Sequence, residues 1–238
     1  MNLVIDCGNT RFKAAIFSGS ILKEKYSFSS EVELKVFLNQ QAFDFAVVSS
    51  VSLDGNQVMG WINSQQKFLL SHLLPLPIQI QYRTPETLGV DRIAAVCGAL
   101  DIFPGKDSLV IDTGTCITYD FMDREKNYMG GSISPGIGMR FEALHTFTKR
   151  LPLVSKADQL ELIGNTTENS IRSGVLNGVV AEVNGIIKRY RYSYPEVDVV
   201  LCGGDALFFE NKMKPTIFAA PDLVLSGLNR ILLHNALL

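Results

Sequence analysis

The chain has 238 residues, 47% of them hydrophobic, enough for one substantial core or two modest ones. Its 22 Lys and Arg against 24 Asp and Glu leave a formal net charge of −2, which gives no electrostatic footprint for nucleic acid or an anionic membrane. The opening MNLVIDCGNT has no basic lead and does not read as a signal peptide. The longest apolar run, FLLSHLLPLPI, is too short to span a bilayer and is interrupted by His72, Pro75 and Pro77. Cys7, Cys97, Cys116 and Cys202 form no CxxC pair, so they read as reduced thiols of a cytoplasmic protein without structural zinc.

In chain order, LVIDCGNTRFKAAIF (3–17) predicts strand, tight turn and strand, and LVIDTGTCITYDFMD (109–123) repeats the pattern about a hundred residues later. The pair points to a duplicated domain. Between them, Ser30-Glu31-Val32-Glu33 reads as a capping box opening a helix to about Asn39. Residues 43–51 read as a buried strand, and 54–66 and 90–102 carry helical patterns. LDIFPGKDS (100–108) is the boundary candidate, dividing the chain into α/β halves 1–105 and 106–238.

In the second half, PGIGMRFEALHTF predicts a helix that starts at Pro135. Over 167–190, Ile171, Val175, Val179, Val183 and Ile187 form an apolar stripe, with Gly174, Gly178 and Gly185 beside it. The glycines suggest a close approach by another helix or backbone, and the stripe is either core or a subunit interface. VDVVLCGGDA (197–206) predicts a strand into a Gly-Gly turn, and residues 222–238 a closing amphipathic helix.

The chemistry concentrates in three places. Asp6-Cys7-Gly8-Asn9-Thr10 follows a strand, so its backbone N–H groups can cradle phosphate oxygens, with Lys13 adding a point charge. Asp6 can hold Mg²⁺, usually through water. Asp112-Thr113-Gly114-Thr115 is a second turn of the same build, rich in hydroxyls. Two such turns and a later Gly-Gly can grip a polyphosphate from both sides and leave the Gly-Gly backbone for a nucleoside; no Walker A loop occurs. Third, in Tyr82-Arg83-Thr84-Pro85-Glu86-Thr87-Leu88-Gly89-Val90-Asp91-Arg92, Asp91 is a candidate base for an attacking hydroxyl, and Arg92 for gripping an anionic oxygen bidentately. His72, His145 and His234 read as packing or surface residues, Trp61 as core, and Asp120 and Asp123 as lying on a hairpin facing water.

DCGNTRFK, PETLGVDR, DTGTCIT, GGSISPG, TKRLPLV, GNTTENSIRSG and LCGGDA occur in this order from residue 6 to 206. Together they resemble the type III pantothenate kinases, whose most specific motif here is PETLGVDR; the Asp-Gly turns alone mark only the wider superfamily of actin, acetate kinase and sugar kinases. The resemblance implies duplicated RNase H-like domains with a cleft between them, and ATP-dependent phosphorylation of pantothenate. It implies that Asp6, Cys7, Gly8, Asn9, Thr10, Arg11, Phe12 and Lys13 form the first phosphate loop, and that Thr115 touches ATP. Tyr82, Gly89, Val90, Asp91, Arg92 and Thr167 would meet pantothenate, with Asp91 the proton acceptor. Asp112 would bind a monovalent cation, potassium or ammonium, while Mg²⁺ bridges phosphates. The implied assembly is a homodimer with a shared active site, which gives the stripe at 167–190 an interface role. Cys116 and Cys202 stand where relatives usually carry Ala and Thr. A sugar-type kinase and a nucleotide-binding regulator that has lost turnover remain as alternatives.

Overall fold

The computed structural model describes residues 1–157, 161–210, 212–213 and 217–236. The chain opens with a three-stranded antiparallel meander, β1 (Asn2–Cys7), β2 (Phe12–Ser18) and β3 (Ile21–Phe28). Next, α1 (Glu31–Asn39) starts at Ser30, whose Oγ accepts from the Glu33 amide at 3.3 Å. The return arm of the capping box lands one residue early: Glu33 Oε2 accepts from Ser29 N at 2.8 Å and Ser29 Oγ at 3.0 Å. β4 (Ala42–Ser50) then runs parallel to β1, and after α2 (Gly55–Gly60), β5 (Asn63–Leu69) runs parallel to β4.

The helix expected over 54–66 therefore stops at Gly60, and the rest is strand. NSQQKFL is polar on both faces because β5 closes an edge of its sheet, and backbone pairing with β4 outweighs side-chain pattern there. β6 (Gln79–Ile80), a single 3-10 turn at Pro85–Thr87 and α3 (Val90–Ile102) follow, the last over the expected residues.

The second half repeats the plan with β7 (Ser108–Thr113), β8 (Cys116–Met122) and β9 (Asn127–Pro135). Pro135 ends β9 rather than opening α4 (Ile137–Thr146), whose N-cap is Gly136. α5 (Thr167–Ser193), β10 (Asp198–Cys202), α6 (Ala206–Glu210), β11 (Phe218–Ala219) and α7 (Leu223–Ala236) complete the described chain; Leu237 and Leu238 of the expected closing helix lie outside it.

One sheet has the order β3-β2-β1-β4-β5; the other reads β6-β9-β8-β7-β10-β11. With the two-residue β6 set aside, the second order is the first repeated strand for strand, and this equivalence shows the duplication better than the short sequence match. β4 is parallel to β1 as β10 is to β7, so Asp6 pairs with Ser49 and Asp112 with Cys202.

Two compact units result: residues 1–106 with 120–130 and 222–238, and residues 107–119 with 131–221. They differ from the expected stretches 1–105 and 106–238 in that the closing helix and the β8–β9 turn group with the first unit. In that unit Leu3, Ile5, Ala14, Ile16 and Val48 pack with Leu34, Leu38 and Val58 of α1 and α2. α7 packs on β1, β4 and α3. The α3–α7 crossing is close enough that a Cβ on Gly227 would overlap the Ala94 carbonyl.

In the second unit, the stripe Ile171, Val175, Val179, Val183 and Ile187 is at most 7% exposed within the single chain. The stripe is thus core, and its interface reading is corrected. Among the described residues, and apart from the backbone of their own helix, Gly174, Gly178 and Gly185 have no atom within 4 Å of where a Cβ would stand, so no close approach is seen at them. Among the described residues no helix is long and apolar enough to cross a membrane.

Candidate active site

β1 delivers Asp6 to its C-terminal end, 8% exposed, on the face opposite Ile5 and Cys7. Ser49 Oγ donates to Asp6 Oδ1 at 3.4 Å, and Lys13 is the cross-strand neighbour. Burial pushes the Asp6 pKa up to about 6; the Lys13 charge pulls it down, the Asp91 charge raises it and the Ser49 hydroxyl lowers it. Asp91 and Asp6 thus share one electrostatic neighbourhood in the first unit, although 85 residues apart in sequence.

The rest of the turn divides by face. Cys7 is fully buried, and its thiol is pushed up to about 12 by burial and then by the Asp6 charge, so it stays protonated. Phe12 packs against the core cluster. Arg11 lines a groove with Ser27, Val32, Glu33 and Phe37, beside α1. For Cys7 and Phe12 only the backbone remains to meet a phosphate, and the Arg11 side chain is drawn toward α1. Gly8 is partly exposed and Asn9 and Thr10 are exposed. Ser52 Oγ fixes the turn by donating to the carbonyls of Cys7 at 3.1 Å and Gly8 at 2.9 Å.

Asp91 lies in the first turn of α3, where a carboxylate is favoured by the helix N-terminus. Its Oδ1 accepts from the Arg92 amide at 2.8 Å and folds over Gly89, where a Cβ would come within 2.6 Å of that oxygen. Val90 is partly buried beside it, and buried Leu88 anchors the approach. Arg92 is 6% exposed, and its Nε and Nη2 donate to Asp120 Oδ1 at 2.9 and 2.6 Å. Burial works against the Arg92 charge, but the hydrogen bond and charge of Asp120 outweigh it and raise the pKa above the ordinary guanidinium value. Tyr82 is partly exposed, with its ring centroid 6.0 Å from the Arg92 guanidinium carbon.

Asp120 is 0% exposed, which corrects its reading as a hairpin residue facing water. Asp123 does sit at the β8–β9 turn, where Oδ1 accepts from the amides of Glu125 at 2.9 Å and Asn127 at 2.8 Å.

In the second unit, Asp112 ends β7 partly buried, and the Gly-Gly turn after β10 lies against it. Gly203 has φ +90°, and a Cβ there would overlap Asp112 Oδ1 and come within 2.6 Å of the Thr113 carbonyl carbon. Thr113 Oγ1 donates to the Cys202 carbonyl at 2.7 Å, and the Asp205 amide to the Thr113 carbonyl at 3.0 Å. Thr115 is exposed at the tip of its turn, and its carbonyl accepts from the Gly136 amide at 3.1 Å. Cys202 is buried, and Cys116 Sγ lies 3.8 Å from Met139 Sδ.

Thr167 is placed elsewhere in that unit, on a groove with Arg140, Leu144, Phe147, Leu151 and Val175. Arg140 of that groove also belongs to a polar cluster that sequence patterns do not reveal. Arg140 Nη2 donates to Glu182 Oε2 at 2.6 Å and Ser134 Oγ at 2.9 Å, and the Tyr119 hydroxyl to Glu182 Oε1 at 3.0 Å. Among the described residues no group of three or more His, Cys, Asp or Glu could hold a metal ion by itself.

Strand order and turns define the fold class of actin-like ATPases and sugar kinases. One solved relative in fold is the activator of the 2-hydroxyisocaproyl-CoA dehydratase from Clostridium difficile with bound ADPNP. It is 12% identical with a TM-score of 0.54, over 98% of this chain and 93% of that one. The family model of type III pantothenate kinases matches residues 2–189. The type III pantothenate kinase of Bacteroides fragilis is 47% identical over 241 residues, covering 99% of this chain and 98% of that protein. That of Christiangramia forsetii is 43% identical over 240 residues, covering 99% of both. The chain belongs to the type III pantothenate kinase family.

Proposed function

We propose that the cluster of Asp6, Lys13, Asp91, Arg92 and Tyr82 is where pantothenate is phosphorylated. As a type III pantothenate kinase, the protein uses ATP to phosphorylate pantothenate in coenzyme A biosynthesis. The observation that carries the assignment of residues is the shared neighbourhood of Asp6 and Asp91, with Arg92 next in the same helical turn. One carboxylate can stay with the phosphates while the other takes a proton.

In this reading the pantothenate hydroxyl attacks the γ-phosphorus, its proton passes to Asp91, and ADP leaves. Lys13 and the backbone of Gly8, Asn9 and Thr10 bind phosphate oxygens, and the resemblance to the family assigns Thr115 to the nucleotide. Arg92 meets an anionic oxygen of pantothenate; its Nε–Nη2 edge being taken by Asp120, the other edge is the one a ligand would use. Tyr82, Gly89 and Val90 complete that wall.

The residues fit Mg²⁺ and a monovalent cation. Asp6 is a nearly buried carboxylate with its pKa raised, so a divalent ion held there through water would offset the cost of its charge. Such an ion supplies neutralisation of phosphate charge. Asp112, next to bare backbone at Gly203 and to the carbonyl and hydroxyl groups of its turn, offers oxygen donors suited to potassium or ammonium.

We further propose a cytoplasmic homodimer with a shared site. Phe147, Leu153, Leu162 and Ile163 are 85%, 57%, 80% and 81% exposed, apolar side chains that a partner subunit could cover. Phe147 lines the groove of Thr167, which would thereby reach the partner's pantothenate. The test of the overall reading is a coupled assay of ADP release with ATP, Mg²⁺, potassium and pantothenate. Release is expected only when pantothenate is present; turnover on sugars with none on pantothenate would overturn it.

A further inference from the structure

Arg92 is held from behind by two residues that no sequence motif points to. The Asp120 carboxylate oxygen that accepts both Arg92 bonds also accepts from the Tyr128 hydroxyl at 2.6 Å. Asp120 and Tyr128 are 0% exposed, so water has no access from that side. Burial and then the Asp120 charge raise the Tyr128 pKa far above the ordinary phenol value, which keeps it a donor. β8 supplies Asp120, and β9, paired at Tyr128 with β6, supplies the phenol.

The front of the guanidinium is equally constrained. The Tyr82 ring stacks on Tyr128 at 6.5 Å between centroids and 14° between planes. It also lies on bare backbone at Gly130, which has φ +101° and where a Cβ would come within 3.1 Å of the ring. This gives GGSISPG a physical role at its first glycine. A buried ion pair gains little net stability over apolar packing of the same volume, because both ions lose their water. What the pair secures here is one orientation of a charged fork beside an aromatic ring.

We propose that Asp120 and Tyr128 are positioning residues for pantothenate recognition, fixing the Arg92 guanidinium so that its remaining edge meets the anionic end of the substrate alongside Tyr82. The inference rests on the reading of Arg92 as a substrate contact. Asp120 acts through Arg92 and touches no reacting atom. Its removal leaves a buried cation unpaired, so Asp120→Asn is a poor sole test; Tyr128→Phe keeps the ion pair and removes one hydrogen bond.

The experiment measures KM for pantothenate, KM for ATP, kcat and thermal stability for Tyr128→Phe, Arg92→Lys and the double variant. Tyr128→Phe is expected to raise the pantothenate KM by about fivefold to tenfold, the worth of one ordinary hydrogen bond because its effect reaches the substrate only through Arg92, with the ATP KM and kcat within about twofold. In the Arg92→Lys background the same change should add less than about twofold, since its effect passes through the guanidinium. An Arg92→Lys protein with raised pantothenate KM, beside a Tyr128→Phe protein with unchanged KM, would overturn the positioning role and leave the substrate contact standing. Additive effects in the double variant would also overturn it. An unchanged pantothenate KM in Arg92→Lys would overturn the substrate contact and the inference with it.

Discussion

At the end of β1, Asp6 is 8% exposed and has a hydroxyl, an ammonium and a second carboxylate for neighbours; at the end of β7, Asp112 is partly buried against the bare backbone of Gly203. Both stand at the same point of the same strand order. The duplication copied the strand–turn–strand geometry, and later elements set the chemistry. In the first unit α3 brings the Asp91 carboxylate within electrostatic reach of Asp6; in the second, β10 brings a Gly-Gly backbone. On the proposed reading, one turn serves proton and phosphate chemistry and the other holds a cation among oxygens.

This difference can be broken most severely at Asp112. Asp112→Ala should lower kcat by about 10²-fold, the usual scale for losing an electrostatic stabiliser, and abolish the response to potassium. Rates are compared in potassium and sodium buffers; equal wild-type rates in both would remove the cation from the second turn.

A smaller but sharper effect concerns the groove of Thr167. Mixing inactive Asp91→Asn with a severely impaired Thr167→Arg protein should restore activity after subunit exchange. Random pairing makes about half of the dimers mixed, each with one intact site, so recovery should approach roughly a quarter of wild-type activity per site. Demonstrated exchange without recovery would assign both residues to one subunit's site.

The smallest effect is one of stability and isolates Asp6. Its folded pKa, about 6, lies above the unfolded value of 3.8, so the folded state binds the proton more tightly between them. Stability from this group therefore falls as pH rises from about 4 to about 6, and the cost is in full force above that. In Mg²⁺-free buffer at pH 8, Asp6→Asn should be more stable than wild type by on the order of 2 kcal/mol, a gain that vanishes near pH 4. Denaturant titration at both pH values measures it, and a gain independent of pH would contradict the burial of a charged Asp6.

Much of this was legible because it is local. The apolar lead and Asp-x-Gly of each turn, the Ser30 cap and the helix at 90–102 all follow from neighbours within a few residues. What the sequence hid depends on partners far along the chain. Asp120 in TYDFMD looks like an exposed strand residue until Arg92, 28 positions earlier, is folded onto it. The edge strand Asn63–Leu69 carries no alternation because neither face is buried throughout. On α5, periodicity identified the buried face at Ile171 to Ile187 but could not say whether the subunit's own core or a second subunit covers it. The site candidates Cys7, Arg11 and Phe12 form a contiguous stretch, whereas strand alternation sends the Cys7 and Phe12 side chains away from Asp6 and Arg11 lies in the groove beside α1.

The most direct measurement is single-turnover formation of phosphorylated pantothenate by Asp91→Asn, with ATP and pantothenate saturating and ATP affinity measured alongside. If Asp91 takes the proton and plays no part in holding the nucleotide, the rate should fall by roughly 10²–10⁴ while ATP affinity stays near wild type. A folded variant that keeps more than about half of the wild-type rate would contradict the assignment.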